Sequence, residues 1–212
     1  MRVLVIGGTG NISSGVVAAL LERGHEVVPF NRGQRTDPPP ADVQVIHGDR
    51  RNREDFENKL RSEKFDAVVD MISFDAEDAA SALRAFHGRA DHFLHCSTVM
   101  TYGPPFSGIN IGETAPLRGS SEYGRGKIAA DALLLKAYED NGFPVTILKP
   151  SYTYGNGMLG RQVAGYGIWI DRIRKGKPIL SAGDGQNYCQ FLSSRDSGVG
   201  FAEIIGRSKC LG

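Results

Sequence analysis

A chain of 212 residues with 41% hydrophobic and 23% charged side chains has a globular rather than a disordered composition, and it is long enough to bury a substantial core. A net charge of +1 gives no general attraction to nucleic acid or to an anionic membrane, and no stretch approaches the roughly 20 apolar residues of a membrane span. Three widely spaced cysteines, Cys96, Cys189 and Cys210, show neither disulfide arithmetic nor metal-ligand pairing and predict a reduced, cytoplasmic setting, with no charged leader expected ahead of the first strand.

Val3-Leu4-Val5-Ile6 predicts a strand buried on both faces. It runs into Gly7-Gly8-Thr9-Gly10-Asn11-Ile12-Ser13, where glycines at 7 and 10 permit a tight turn and close approach of the backbone to a pyrophosphate. A helix opening near Asn11 points its free N–H groups and positive dipole end at the same phosphates. The usual third glycine is Ser13 here, but the context supports the motif: Val16, Val17, Leu20 and Leu21 form a helical apolar stripe, and Gly24-His25 turns the chain into a second strand over residues 26–30.

The alternation then continues. Strands are predicted over residues 43–47, 67–71, 92–95 and 145–149, and helices over 53–61, 76–86 and 122–140. Six strands separated by helices predict an α/β fold, a doubly wound parallel sheet of Rossmann type over residues 1–150. The prolines of Asp37-Pro38-Pro39-Pro40 mark a surface loop. Beyond Pro150 the texture changes to a small, incomplete C-terminal substrate lobe over residues 151–212. It is expected to hold a loop from Tyr152 to Gly157, a helix over 162–175, a short strand over 178–180, a turn at Gly183-Asp184-Gly185 and a last segment over 194–205.

Tyr123 and Lys127 lie four apart at the start of the 122–140 helix, so they share one helical face. An ammonium beside a phenol favours the phenolate and brings it toward proton exchange with a substrate hydroxyl. The helix follows the fifth strand, whose end lies at the carboxyl edge of the sheet, where ligands of open α/β sheets bind.

Three segments together, Gly7-Gly8-Thr9-Gly10, Ser97-Thr98-Val99-Met100-Thr101-Tyr102-Gly103 and Tyr123-Gly124-Arg125-Gly126-Lys127, resemble the extended short-chain dehydrogenase/reductase family, the NAD-dependent epimerase/dehydratase group. The resemblance implies a catalytic set of Thr98, Tyr123 and Lys127, with Ser97 as the fallback for the hydroxyl that orients the reacting oxygen. It also implies a nicotinamide-side loop at Pro150, since Lys149-Pro150-Ser151-Tyr152-Thr153-Tyr154-Gly155 matches the family's Arg-Pro-x-x-x-Tyr-Gly stretch. Cofactor contacts are expected from Gly7, Thr9, Gly10, Asn11, Ile12, Asn31, Arg32, Asp49, Met71, Lys127 and Pro150, and no metal is expected.

Departures from the family pattern refine this. The acidic residue that would hold the adenosine ribose is Asn31, followed by Arg32, which accept a 2′-phosphate that a carboxylate repels; NADP is therefore favoured slightly over NAD. Asp70-Met71-Ile72-Ser73 replaces the small residues under the nicotinamide ribose, predicting a bulkier and more polar floor. Cys189 stands where members acting on nucleotide sugars place an arginine on the diphosphate, so Arg195, Arg161 or Arg172 substitutes for it, or the substrate is no diphosphate sugar. Cys189 itself reads as a small buried hydrophobe, His92 and His95 as structural, and Arg50, Arg51 and Arg53 as a solvated helix start.

The expected function is an NAD(P)-dependent epimerase or oxidoreductase acting on a hydroxyl or keto carbon of a sugar-like substrate, a nucleotide sugar or nucleoside, working as a homodimer. Dehydration ranks lower because Val99 and Met100 stand where the extra dehydratase carboxylate belongs. A second class, an RNA- or protein-binding module on the same fold, is opposed by the joint presence of Thr98, Tyr123 and Lys127.

Overall fold

The computed structural model describes residues 1–34, 43–106, 108–155, 161–162, 165–166, 168–181, 183–186 and 188–212, with backbone alone at 161, 162, 165 and 166. The Asp37–Pro40 loop and the Asn156-Gly157 end of the Tyr152 loop lie outside the described residues.

Six strands, β1 (Arg2–Ile6), β2 (Glu26–Asn31), β3 (Ile46–His47), β4 (Phe65–Asp70), β5 (Ala90–Cys96) and β6 (Val145–Leu148), form one sheet. Its order is β3-β2-β1-β4-β5-β6, parallel throughout, with Val3 opposite Val27 on one side and Ala67 on the other. This is the doubly wound order, and it puts the switch point between β1 and β4.

Both faces of the sheet are covered, as the uninterrupted apolar runs require. On one face α1 (Asn11–Glu22) and α6 (Ser194–Ile204) bury Val3, Val5, Ala67, Val69 and Leu94 under Val16, Leu20 and Phe201. On the other, α2 (Arg53–Leu60), α3 (Ala76–Phe86) and α4 (Glu122–Asn141) cover Leu4, Ile6, Val68 and Phe93, with Phe56, Phe86 and Leu134 filling the layer. The α1 and α6 backbones meet at Gly15 and Gly198: a Cβ on Gly198 would run into the Gly15 carbonyl. Helix α4 begins at a Ser121 cap, whose hydroxyl accepts from the Gly124 N–H at 3.0 Å, and ends at Gly142 with φ +68°.

The main sheet agrees with the sequence expectation, and the C-terminal part departs from it. Instead of a helix from residue 162, two short strands, β8 (Arg161–Gln162) and β9 (Gly165–Tyr166), pair antiparallel and α5 (Ile168–Arg174) starts late. Glycines at 165 and 167 weaken the first half of the expected helix. Residues 178–180 are irregular, with Ile179 and Leu180 exposed and no strand beside them among the described residues. Tyr152–Tyr154, expected as loop, forms β7 and pairs in parallel with β10 (Phe191–Ser193).

Candidate functional site

The carboxyl ends of β1, β4, β5 and β6 open into a cavity of about 820 Å³, a size suited to a ligand larger than a single sugar. Its walls include Gly7, Gly10, Asn11 and Ile12 at one end, Met71, Ile72 and Phe74 along the floor, and Thr98, Tyr123, Lys127 and Pro150 at the other.

The turn after β1 is built by glycine. Gly7 has φ +84°, and a Cβ there would lie 2.7 Å from Ile72 Cγ2. Gly10 caps α1 and contributes no side-chain hydrogen bond to its first turn. Ser13, in place of the third glycine, turns its hydroxyl inward: it accepts from the Gly10 N–H at 2.6 Å and donates to the Gly7 carbonyl at 2.7 Å. The substitution therefore knits the turn together rather than blocking it. A glycine turn at a helix N-terminus, open to a cavity of this size, fits the pyrophosphate of a dinucleotide. Thr9 shapes the same turn through its N–H to the Gly7 carbonyl, 2.8 Å, without lining the cavity.

The predicted chemistry-bearing residues converge at the far end. Tyr123 is 42% exposed into the opening, whereas Lys127, one turn on, is buried. The Lys127 ammonium donates to the carbonyls of Ser73 and Cys96, each at 2.6 Å, and lies 5.9 Å from the centre of the Tyr123 ring. Two residues past β5, Thr98 caps the Val99–Tyr102 turn with its hydroxyl accepting from the Met100 N–H at 3.2 Å and in hydrogen-bonding reach of the Tyr123 phenol. The expected lowering of the phenol by Lys127 is absent from the protein alone. Partial burial raises Tyr123 above the usual phenol range, with Cys96 adding to the rise and the Thr98 hydrogen bond opposing it. The dominant cause is therefore burial of the phenol. Burial likewise lowers Lys127, while Cys96, Asp70, Asp131 and Asp78 favour its charged form.

Behind this set lies a network centred on Asp131 of α4, one turn past Lys127. Its Oδ2 accepts from Ser97 Oγ at 2.8 Å and from Lys149 Nζ at 2.7 Å, and its Oδ1 stands 3.3 Å from His95 Nε2. Burial works to raise the Asp131 carboxyl, but hydrogen bonds from His95 and Lys149 outweigh it and hold the group below its ordinary value. Ser97, the fallback hydroxyl, is thus spent on Asp131, and Thr98 is the hydroxyl beside the phenol.

The floor is bulkier than the family pattern but not more polar: Met71 and Ile72 line the cavity, while Asp70 and Ser73 are fully buried away from it. Asp70 pairs with Arg50 at 3.4 Å, and Arg50 is buried over the Phe56 ring and bonded to Ser81, which corrects its reading as a solvated helix start. Asn31, Arg32 and Asp49 do not line the cavity. Asn31 Oδ1 accepts from the Gly33 N–H at 2.8 Å, Arg32 is exposed, and Asp49 Oδ1 accepts from the Arg51 N–H at 2.9 Å as a turn cap. Cys189 is exposed, not buried as expected, because the segment around it carries no covering element among the described residues. Cys96 is buried and its thiol is pushed up to about 11, an inert packing residue. Arg195 and Arg172 stand outside the cavity, and the side chain of Arg161 lies outside the described residues. No described arginine lines the cavity. Among the described residues there is no cluster of three or more metal-ligating side chains, and no helix is long and apolar enough to cross a membrane.

Sequence reasoning missed Phe74 and Asp131. Phe74 is 47% exposed at the cavity wall, its ring centre 6.2 Å from that of Tyr123 and 5.0 Å from Lys127 Nζ. The i, i+4 spacing of Asp131 behind Lys127 is the signal that could have found the second.

The sequence profile of the NAD dependent epimerase/dehydratase family matches residues 3–207. Over 213 residues the chain is 32% identical to the 2'-dehydrokanamycin reductase of Streptomyces kanamyceticus, covering all of this chain and 60% of that one. It is 25% identical over 221 residues to the chloroplast stem-loop binding protein of 41 kDa b of Arabidopsis thaliana, covering 98% and 56%. The chain therefore spans 60% or less of the length of these two relatives. Among solved structures, the UDP-glucose 4-epimerase of Thermus thermophilus in complex with NAD superposes with a TM-score of 0.78 at 24% identity, over 98% of this chain and 75% of that one, a likeness of fold.

Proposed function

Since the chain belongs to the NAD-dependent epimerase/dehydratase family, we propose that its cavity holds NAD or NADP along the glycine turn and carries out redox chemistry on a hydroxyl or keto carbon of a sugar-like substrate at Tyr123. The observation that carries this reading is the opening of one cavity onto the Gly7–Ile12 cradle, Thr98, Tyr123 and Lys127 together. Gly7, Thr9, Gly10, Asn11 and Ile12 would hold the pyrophosphate, Met71 and Pro150 the nicotinamide side, Asp49 the adenine, and Asn31 with Arg32 the adenosine ribose, favouring NADP. The coenzyme, when bound, supplies reversible hydride transfer at the carbon bearing the reacting oxygen, and its oxidised ring carries positive charge.

Tyr123 removes the proton of the substrate hydroxyl, or returns it to a ketone oxygen, as general base or acid. Thr98 orients that oxygen through its hydroxyl. Lys127 fixes the Ser73 and Cys96 carbonyls, and with them the floor and the end of β5, and reaches the cofactor ribose. Val99 and Met100 present no carboxylate for elimination, which favours epimerisation or simple redox over dehydration. The 32% identity to the 2'-dehydrokanamycin reductase of Streptomyces kanamyceticus supports a keto-glycoside as the sugar-like substrate. The working form in this reading is a homodimer in the cytoplasm.

Isothermal titration with NADP and NAD tests the cofactor assignment, and oxidation of the reduced coenzyme with a panel of keto-glycosides tests the chemistry. Absence of binding by both coenzymes overturns the reading. The stem-loop binding relative supplies the second reading, an RNA-binding module, and salt-dependent retention of RNA by the purified protein would then favour it.

A further inference from the structure

The polar network under the site does more than fill the interior. Thr98 is bracketed in sequence by two hydroxyl residues that both lead to the Asp131–Lys149 ion pair. On one side Ser97 donates to Asp131 Oδ2 at 2.8 Å. On the other, the buried Thr101 hydroxyl donates to the Thr98 carbonyl at 2.9 Å and accepts from Lys149 Nζ at 3.0 Å. Lys149 closes the ring by donating to the same Asp131 oxygen at 2.7 Å. Asp131 lies two turns beyond Tyr123 on α4, and Lys149 immediately precedes Pro150. A single buried carboxylate therefore ties together the helix that carries the phenol, the segment just past β5 that carries Thr98 and the end of β6 that opens the Pro150 loop.

We propose that Ser97 and Thr101, joined through the Asp131–Lys149 pair, are positioning residues that hold the Thr98 hydroxyl against the Tyr123 phenol. The backbone around Thr98 leaves the sheet for a single 3-10 turn over Val99–Tyr102, and such a turn has few hydrogen bonds of its own. Val99 and Met100 are exposed to the cavity and supply no packing that would pin it. Backbone bonds from Ser97 to the Leu148 carbonyl, from Val99 to the Pro150 carbonyl and from Arg118 to the Thr101 carbonyl hold the path of the chain. The two hydroxyls on either side of the turn add side-chain ties to one Asp131–Lys149 pair, through which they are coupled. This rests on the reading that Thr98 and Tyr123 carry the chemistry, and it concerns their geometry alone.

The test reads ionisation of the Tyr123 phenol by pH-jump stopped-flow absorbance of tyrosinate, assigned by subtracting the trace of Tyr123→Phe. Thr101→Val is isosteric, changes no charge and removes only the hydroxyl link. We expect it to move the Tyr123 midpoint upward by about one pH unit, as loss of one hydrogen bond to a phenolate implies, and Thr101→Ser to restore it. Ser97→Ala, which breaks the opposite bracket, is expected to shift it in the same direction and serves if Thr101→Val does not fold. A merely structural role would lower the melting temperature of these variants and leave the midpoint where it stands in the parent; that result overturns the proposal. Coenzyme titration of the parent protein is independent of this measurement, so failure of the clamp and failure of the enzyme reading are told apart.

Discussion

Lys127 Nζ lies 5.9 Å from the centre of the Tyr123 ring, yet its two hydrogen bonds, each 2.6 Å, go to the carbonyls of Ser73 and Cys96. The lysine therefore acts first on backbone. Its ammonium holds the β4–α3 loop against the end of β5, and with them the cavity floor. Lys127→Met is expected to strand two buried carbonyls, at about 1 to 3 kcal/mol each, and to weaken coenzyme binding at the same time. Urea denaturation and coenzyme titration on one preparation check both effects; an unchanged denaturation midpoint would contradict the bolt role.

Tyr123→Phe isolates the proton-transfer step. The phenol is partly exposed and its ring packs beside Phe74, 6.2 Å between centres, a contact that phenylalanine keeps. Coenzyme affinity and stability should match the parent, whereas turnover of a keto-glycoside should fall by about 10² to 10⁴. Steady-state coenzyme oxidation measures the fall, and a loss below tenfold would remove Tyr123 as the acid–base group.

Much of this is legible in sequence because the governing signals are local. The apolar run of β1, its glycine turn and the helical stripe of α1 follow one another directly along the chain, and the strand–helix alternation fixes a parallel sheet without knowledge of any contact. Tyr123 and Lys127 are one helical turn apart and are visible for the same reason. Arg50 escapes such a reading because a run of arginines before Glu54 and Asp55 looks solvated, while its partner Asp70 is 20 residues away on the next strand. The raised phenol escapes it too, because burial of Tyr123 is set by distant segments, and so do the acceptors of Lys127, the carbonyls of Ser73 and Cys96, which lie 54 and 31 residues away. The late start of α5 reflects glycines whose breaking power outweighs the apolar spacing.

Cofactor preference is expected to reside in one side chain. Asn31 Oδ1 is occupied by the Gly33 N–H, whereas the Arg32 side chain is exposed at the end of β2. A guanidinium there meets a 2′-phosphate with charge-assisted bonds of about 1.5 to 3 kcal/mol. Arg32→Glu should weaken NADP binding by roughly 10- to 100-fold and spare NAD. Paired calorimetric titrations decide it, and equal loss of both coenzymes would place Arg32 outside the ribose site.

Acid sensitivity is expected to begin at His92. Its Nδ1 accepts from the Gly206 N–H at 3.0 Å, so the proton sits on Nε2, which donates to Thr146 Oγ1 at 2.8 Å. Thr146 passes its own hydroxyl proton to the Cys210 carbonyl, so one neutral imidazole ties the segment after α6 to β5 and β6. Burial lowers His92 below its ordinary value of 6.5. The unfolded chain then takes up a proton near pH 6.5 that the folded protein refuses until lower pH, so stability is complete above about 6.5 and falls as pH drops through the window beneath it. His25 shifts in the same direction through burial, with the N-terminal ammonium and Arg23 beside it, and contributes a smaller part from a less buried site. The Asp131 carboxyl adds a separate loss only below its ordinary 3.8. Melting temperatures between about pH 8 and pH 5 should decline for the parent, and His92→Gln, whose amide cannot be protonated in this range, should start lower and lose most of that slope. Parallel pH profiles for the two proteins would show that protonation of His92 is not what weakens the fold.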